Sequence, residues 1–237
     1  MKKYEFTGET KEYYERTLKQ IRRISDGLVG GWIESEDNLS QYGDCFVYNN
    51  AKVFDNTMIS GNASISGNAI VYGNSEIYDN VVVYDNAKIY DNAIVFDEAE
   101  IYGNAKIYGN AKIWNKAKIY DDAVICENAR IFGRAKIYDE AVICENARIF
   151  DNAKIYGDSV IFDKMEINCE FKDIEYYSFI KGRYITVLLC EDDIWRFNIG
   201  CQNLLTKDEF IQRIEEEDGG LKENPHRKKY LRILNLY

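Results

Sequence analysis

Histidine and paired cysteines are scarce in this chain of 237 residues. The only histidine is His226, and no two of the six cysteines form a CxxC pair. Zinc sites draw on clusters of these two residue types. We therefore expect no metal site and no bound cofactor. The cysteines are Cys45, Cys126, Cys144, Cys169, Cys190 and Cys201.

Basic charge and long apolar runs are also in short supply. Thirty lysines and arginines stand against forty acidic residues, and the formal net charge is −10. A nucleic-acid binder or a protein held on an anionic membrane needs the opposite balance. No segment reaches the ~18 apolar residues of a membrane span, and residues 1–20 lack the apolar core of a signal peptide. The sequence thus predicts a cytoplasmic protein with reduced cysteines that binds neither membrane nor nucleic acid.

An unbroken six-residue repeat dominates the chain. An aliphatic residue stands at every sixth position from Val47 to Ile167, and a mostly small residue, such as Ala51, stands two places before it. Side chains two positions apart share one face of a strand, so both types point inward. Gly or Asp followed by Asn usually fills the next two places and favours a turn. Each hexad therefore predicts a short strand and a corner, and its period excludes a helix.

A longer repeat gives the number of hexads in each coil. Residues 122–139 recur almost unchanged as residues 140–157, three hexads later. We therefore predict a mainly β protein whose residues 45–169 form a three-sided parallel β-helix of about seven coils. The open ends of such a column need caps. Residues 1–44 are predicted to form an N-terminal β cap, with Trp32 and Ile33 covering the first coil.

A small α+β domain is predicted for residues 170–237. The segments 184–189 and 194–199 have strand character and suggest a hairpin. Thr206 and Glu209 form a capping box that opens a helix running to Glu217, before a glycine pair at 219–220. Residues 227–236 are predicted as a final helix, which places His226 at a solvated helix start.

The hexads are similar to a known repeat. The segment IYDNAI at residues 89–94 resembles the bacterial hexapeptide repeat of left-handed parallel β-helices, and this resemblance implies the handedness. The motifs GGWIE at 30–34, NLS at 38–40 and GDC at 43–45, with IW at 194–195, resemble a family of bacteriophage and prophage proteins often labelled as transferases. That second resemblance covers nearly the whole chain and implies a phage origin, but no particular reaction.

Acyl transfer is the activity that the hexapeptide-repeat resemblance implies. Such enzymes take the acyl group from a CoA or carrier-protein thioester, usually as trimers, and place a catalytic histidine on a coil or a protruding loop. The repeat in this chain contains neither a histidine nor an insertion. We therefore expect no catalytic residue and favour a protein that is not an enzyme. An acyltransferase with an unusual base is the alternative.

Aromatic residues fill most of the outward positions that follow the inward aliphatic ones. Same-face stacking explains the tyrosines among them. Four large apolar rings in line would expose a sizeable patch, so we expect a subunit interface to bury them. The hexapeptide-repeat resemblance implies a homotrimer first, and a dimer is the second expectation. The binding or interface candidates are the apolar rings Phe96, Trp114, Phe132 and Phe150, the tyrosines Tyr84, Tyr102, Tyr120 and Tyr138, and the arginines Arg130 and Arg148.

Cys126 and Cys144 are one coil apart on the same predicted face. They form either a redox pair or two small apolar fillers beside valines of the same wall. The second interpretation is favoured, because an in-register ladder is a common product of coil duplication.

These patterns favour a non-catalytic, phage-type binding protein. It would sequester or inhibit a host factor, either a defence protein or a small nucleotide signal, through its aromatic-rich surface or through a subunit interface. Aromatic rings suit stacking on bases, and arginines suit phosphates. Acyl transfer is the competing hypothesis, and turnover of acetyl-CoA would decide for it.

Overall fold

The computed structural model describes residues 2–162, 166–167, 171–179, 183–190, 194–199, 202–215 and 227–235. The predictions for His226, for Cys169 and Cys201, and for the glycine pair at 219–220 fall outside this range. Within it the protein is mainly β, as predicted. It consists of a parallel β-solenoid of about seven coils and a small C-terminal antiparallel sheet with helices.

Three antiparallel strands precede the repeat. Strand β1 (Tyr4–Tyr13) pairs with β2 (Arg16–Arg23) through a turn whose two residues both have positive φ, and β2 pairs with β3 (Val29–Ile33). Positive φ at both turn residues suits the right-handed twist of a hairpin. A short 3-10 helix, Glu36–Asn38, follows β3. Trp32, which was expected to cover the first coil, remains partly exposed on β3.

The three walls of the solenoid are built from strands β4 to β24, each two residues long. Each pairs in parallel and in register with strands eighteen residues away. Wall 1 contains Lys52–Val53, Ile70–Val71, Lys88–Ile89, Lys106–Ile107, Val124–Ile125, Val142–Ile143 and Val160–Ile161. Wall 2 contains Met58–Ile59, Glu76–Ile77, Ile94–Val95, Lys112–Ile113, Arg130–Ile131, Arg148–Ile149 and Glu166–Ile167. Wall 3 contains Phe46–Val47, Ser64–Ile65, Val82–Val83, Glu100–Ile101, Lys118–Ile119, Lys136–Ile137 and Lys154–Ile155.

A column of aliphatic side chains and alanines fills the interior. The second residue of every two-residue strand is fully buried, and one contiguous core runs from Val47 to Ile167. Strand alternation turns that residue and the small one two places before it to the same side. Burial of one Ile or Val side chain stabilises the folded state by roughly 1.5–3 kcal/mol. The stacking of equivalent residues in successive coils therefore holds the coils together.

The corners depend on residues that tolerate a left-handed backbone. The first corner residue has a φ of +66° at Gly61 and +60° at Asp79, a region that L side chains other than Asn and Asp seldom adopt. A Cβ at Gly61 would lie 2.6 Å from the backbone nitrogen of Asp79 in the next coil. Asparagines at the second corner position donate to one another between coils at 2.9–3.3 Å. Backbone and amide ladders therefore hold each corner.

The solenoid begins before the hexad repeat does. Ile33 pairs in parallel with Val53, and Leu39 forms a parallel bridge with Ile59, in both cases twenty residues ahead and not eighteen. Ile33 and Leu39 are fully buried in the same core as the repeat. The N-terminal segment therefore covers the column and also supplies inward residues to it.

The C-terminal part has its own sheet and core. Its elements are β25 (Phe171–Phe179), β26 (Arg183–Cys190), β27 (Trp195–Ile199), β28 (Gln202–Thr206), α1 (Lys207–Glu215) and α2 (Arg227–Leu234). The predicted hairpin is formed by β26 and β27, whereas the sequence pattern does not predict the two outer strands. The capping box is confirmed, because the backbone N–H of Thr206 donates to Glu209 at 2.7 Å. Phe197 and Phe210 pack 5.2 Å apart in this core. Neither described helix is long and apolar enough to cross a membrane.

Candidate binding surface

Walls 2 and 3 each carry an outward row of aromatic residues. The ring row of wall 2 is Tyr78, Phe96, Trp114, Phe132 and Phe150. The tyrosine row of wall 3 is Tyr84, Tyr102, Tyr120, Tyr138 and Tyr156. Arg130 and Arg148 are outward residues of wall 2. The structure thus brings the predicted arginines and apolar rings together and places the predicted tyrosines on a different wall.

The rings of both rows stack face to face along the column. Neighbouring ring centroids are 4.5–5.7 Å apart in the ring row and 4.7–5.3 Å apart in the tyrosine row, and their planes lie within 17° of parallel. Every ring of the two rows is partly buried. The ring row is therefore covered by stacking in the same way as the tyrosines. What wall 2 presents to solvent is a line of ring edges.

Lysine or arginine precedes the ring on three successive coils and follows it on two of them. The flanking cations are Lys112, Arg130 and Arg148 before the rings, and Lys116 and Arg134 at the corner after them. This set is the basic frame. A ring quadrupole is positive at its edge, so the ring edges and the basic frame attract the same kind of partner, an anionic one.

Ion pairs neutralise two of the five cations of the basic frame. Lys116 Nζ lies 3.2 Å from a carboxylate oxygen of Glu98, and Arg148 Nη1 lies 2.7 Å from one of Glu166. The other three cations are exposed, and they have no acidic partner within the described part of the chain. Three unneutralised charges therefore remain beside the ring row.

The first coils of wall 2 have a different character. Met58, Glu76 and Ile94 occupy the positions that Lys112, Arg130 and Arg148 take further along. Along wall 2 the positive residues are therefore confined to one half, although Lys88 and Lys106 of wall 1 and Lys136 of wall 3 occupy the same hexad position on a protein of net charge −10. Such local complementarity raises the rate and specificity of association with an oppositely charged partner.

A groove of about 310 Å³ lies within this basic half. Its lining residues are Asn128, Arg130, Asn146, Arg148 and Glu166. Arg130 and Arg148 belong to paired strands, so their backbones are one rung, about 4.8 Å, apart. The groove thus collects two guanidinium groups and two amides at the edge of the wall.

Sequence reasoning missed a second concavity, a polar cleft of about 660 Å³ between the N-terminal hairpin and the first coils. In it Arg16 lies 2.8 Å from Oδ1 of Asp55, and Glu34 accepts a hydrogen bond from the backbone N–H of Asp55 at 2.8 Å. The fully buried amide of Asn38 donates to the carbonyl oxygens of Asp55 and Thr57. These bonds fasten the hairpin and the 3-10 helix to the first corner. The residues that they join follow no periodic spacing, so the repeat gives no signal for them.

The two cysteines of wall 1 are shielded and protonated at neutral pH. Burial raises the pKa of the Cys144 thiol to about 12 and raises that of Cys126 as well. Only the thiolate is nucleophilic. This environment favours the interpretation of both as apolar fillers over a redox pair.

Neither metal-binding residues nor comparisons with known proteins identify a functional site. Among the described residues, no group of three or more histidine, cysteine or acidic side chains is arranged to hold a metal ion. No protein-family model and no curated protein sequence matches the chain. The basic half of wall 2 is therefore identified by its geometry and charge alone.

Proposed function

We propose that this protein is a non-catalytic binding protein that captures an acidic protein partner on the basic half of wall 2. In the phage setting that the sequence resemblance implies, the partner is a host factor, and capture sequesters or inhibits it. The observation that carries the proposal is the line of ring edges framed by three unpaired cations.

The shape of the wall supports a macromolecular partner. Its strands are in register from coil to coil, so its outward side chains form straight rows along the column. Aromatic and arginine side chains are the residue types enriched at the centres of protein interfaces. A straight, ring-lined surface of this kind suits a protein better than an enclosed small ligand.

Closed ring faces argue against a nucleotide held by base stacking. Trp114 lies 5.7 Å from Phe96 and 4.5 Å from Phe132, centroid to centroid, with planes within 6° of parallel. A base needs an open ring face on which to stack. The small nucleotide signal is therefore the weaker of the two ligand classes that the sequence suggests.

A matched pair of variants tests the proposal. In the wall 2 variant, Lys112→Gln and Arg130→Gln remove two charges from adjacent coils. In the control, Lys88→Gln and Lys106→Gln remove two charges from the same hexad position on adjacent coils of wall 1. Both variants and the parent protein are immobilised and exposed to bacterial lysates, and the retained proteins are identified and titrated by calorimetry.

The expected result is an acidic protein bound by the parent and by the wall 1 control, with affinity about tenfold or more lower for the wall 2 variant, as for loss of charged contacts. Equal retention by all three proteins would contradict the proposal. So would calorimetric binding of cyclic or linear nucleotides in the absence of a protein partner. Steady turnover of acetyl-CoA would favour the acyltransferase instead.

A further inference from the structure

The groove at the edge of wall 2 contains arginine N–H donors that ion pairs within the chain leave unused. Arg130 is exposed and, within the described part of the chain, has no acidic partner. Arg148 donates through Nη1 to Glu166 at 2.7 Å, which occupies one end of its guanidinium group. A guanidinium group carries five N–H donors in a planar fork. Most of the donors of both arginines are therefore available to a ligand.

The surrounding side chains add amide donors and one carboxylate that competes with a ligand for Arg148. Asn128 and Asn146 each stand two positions before an arginine, at the corner that borders the groove. Among the described residues that line the groove, Glu166 is the only carboxylate. Two cations and one anion give these described lining residues a formal charge of +1. The Glu166 carboxylate accepts from Arg148 a hydrogen bond that an external oxyanion would otherwise accept.

We propose that this groove is a phosphoryl-binding site, in which Arg130 and Arg148 grip a tetrahedral oxyanion from two adjacent coils and Asn146 donates to a third oxygen. Two planar forks one rung apart can bind different oxygens of one phosphoryl group, and charge-assisted hydrogen bonds of this type are strong and directional. A single carboxylate has only two oxygens and needs only one of the forks. The groove therefore selects a phosphoryl group over a carboxylate.

This site rests on the proposed function, because it specifies what the captured partner carries in contact with wall 2. A phosphoryl group reaches the groove either as free phosphate or attached to a protein. The two sources share the chemistry and differ in affinity, since a phosphorylated segment also contacts the ring row and the other cations.

Titration of the isolated protein tests the site. The probes are inorganic phosphate, acetate, a phosphoserine peptide rich in acidic residues, and the same peptide without its phosphate, followed by calorimetry and by ³¹P chemical shift at low ionic strength. Arg130→Gln is expected to weaken phosphate binding about tenfold or more. Glu166→Gln is expected to strengthen it several-fold, because it frees Arg148. Arg22→Gln, which alters an arginine paired with Glu5 on the N-terminal hairpin, is the control and is expected to change nothing.

Opposite responses of the Arg130 and Glu166 variants would separate a built site from general surface charge. The inference is overturned if acetate binds as tightly as phosphate, if Glu166→Gln leaves phosphate binding unchanged, or if the Arg22 variant weakens binding as much as the Arg130 variant. Tighter binding of the phosphopeptide than of phosphate identifies a protein-borne source, and equal binding identifies the free ion. Partner capture without phosphate binding would refute the site and leave the proposed function standing, whereas the reverse would refute the function alone.

Discussion

Replacing Gly61 by alanine is expected to destabilise the solenoid far more than the same change at Gly157. Both glycines are first corner residues with nearly equal φ, +66° and +62°. A Cβ at Gly61 would lie 2.6 Å from the backbone nitrogen and 2.8 Å from the Cα of Asp79 in the next coil. At Gly157 a Cβ would meet no atom of the described residues within 4 Å.

The two substitutions therefore share one penalty and differ in another. A left-handed backbone costs a residue with a Cβ about 1–2 kcal/mol, and this applies at both sites. Forcing the next coil to move adds roughly 1–3 kcal/mol at Gly61 only, by analogy with overpacked cores. The loss of stability is thus expected to be about 1–2 kcal/mol for Gly157→Ala and about 2–5 kcal/mol for Gly61→Ala.

Equilibrium unfolding in urea, followed by far-ultraviolet circular dichroism, measures the difference from the midpoints and slopes. Gly133→Ala is a useful third variant, because a Cβ there would lie 2.7 Å from the backbone nitrogen of Asp151, close to the same end of the column as Gly157. It is expected to behave like Gly61→Ala. Equal losses for all three variants would show that the coils are not spaced as described.

Three further predictions concern the rows and the assembly. Trp114→Ala removes a ring with two stacked neighbours and is expected to destabilise the protein by about 1–3 kcal/mol in urea, whereas Phe150→Ala, with one stacked neighbour in the described chain, is expected to lose about half as much. Burial and neighbouring tyrosines raise the pKa of Tyr120 from 10.0 to about 12. The stability that this protonated phenol supplies is therefore expected to be complete below pH 10 and to be lost as the pH rises to 12. Urea midpoints and tyrosinate absorbance across that pH range check this expectation. The homo-oligomer expected from the resemblance, a trimer first and a dimer second, predicts a mass of three or two times 27.6 kDa by analytical ultracentrifugation, and a single 27.6 kDa species at all concentrations would contradict it.

The central fold could be predicted from the sequence because its information is periodic. Val47, Ile89 and Ile167 belong to one series at sixfold spacing, and an eighteen-residue repeat fixes three hexads per coil. Strand alternation then assigns every side chain to the inside or the outside. The paired strands and the continuous core confirm this prediction.

Contacts without a period could not be predicted in the same way. Ile33 and Leu39 enter the core twenty residues ahead of their partners, so the repeat does not reveal them. The ion pair of Arg16 with Asp55 depends on how the hairpin folds back onto the first corner. The spacing of the hexads predicts neither this twenty-residue offset nor the fold of the hairpin.

The candidate surface was predictable in part. When residues are grouped by the eighteen-residue repeat, Arg130 and Phe132 fall on one wall, and the structure agrees. The sequence does not show that each ring covers the face of the next, because that depends on side-chain rotamers along the stack. It therefore overestimates the exposed apolar area of the ring row and the surface open to a base.

Hydroxyl-radical footprinting of the protein alone and in complex with its captured partner tests the binding surface most directly. Solvent-exposed aromatic side chains are oxidised rapidly, and a partner that covers them slows the reaction. The proposal predicts slower oxidation of Trp114 and Phe132 in the complex, with Tyr102 and Tyr120 on wall 3 unchanged. Protection of the wall 3 tyrosines, or unchanged oxidation of Trp114 and Phe132, would contradict it.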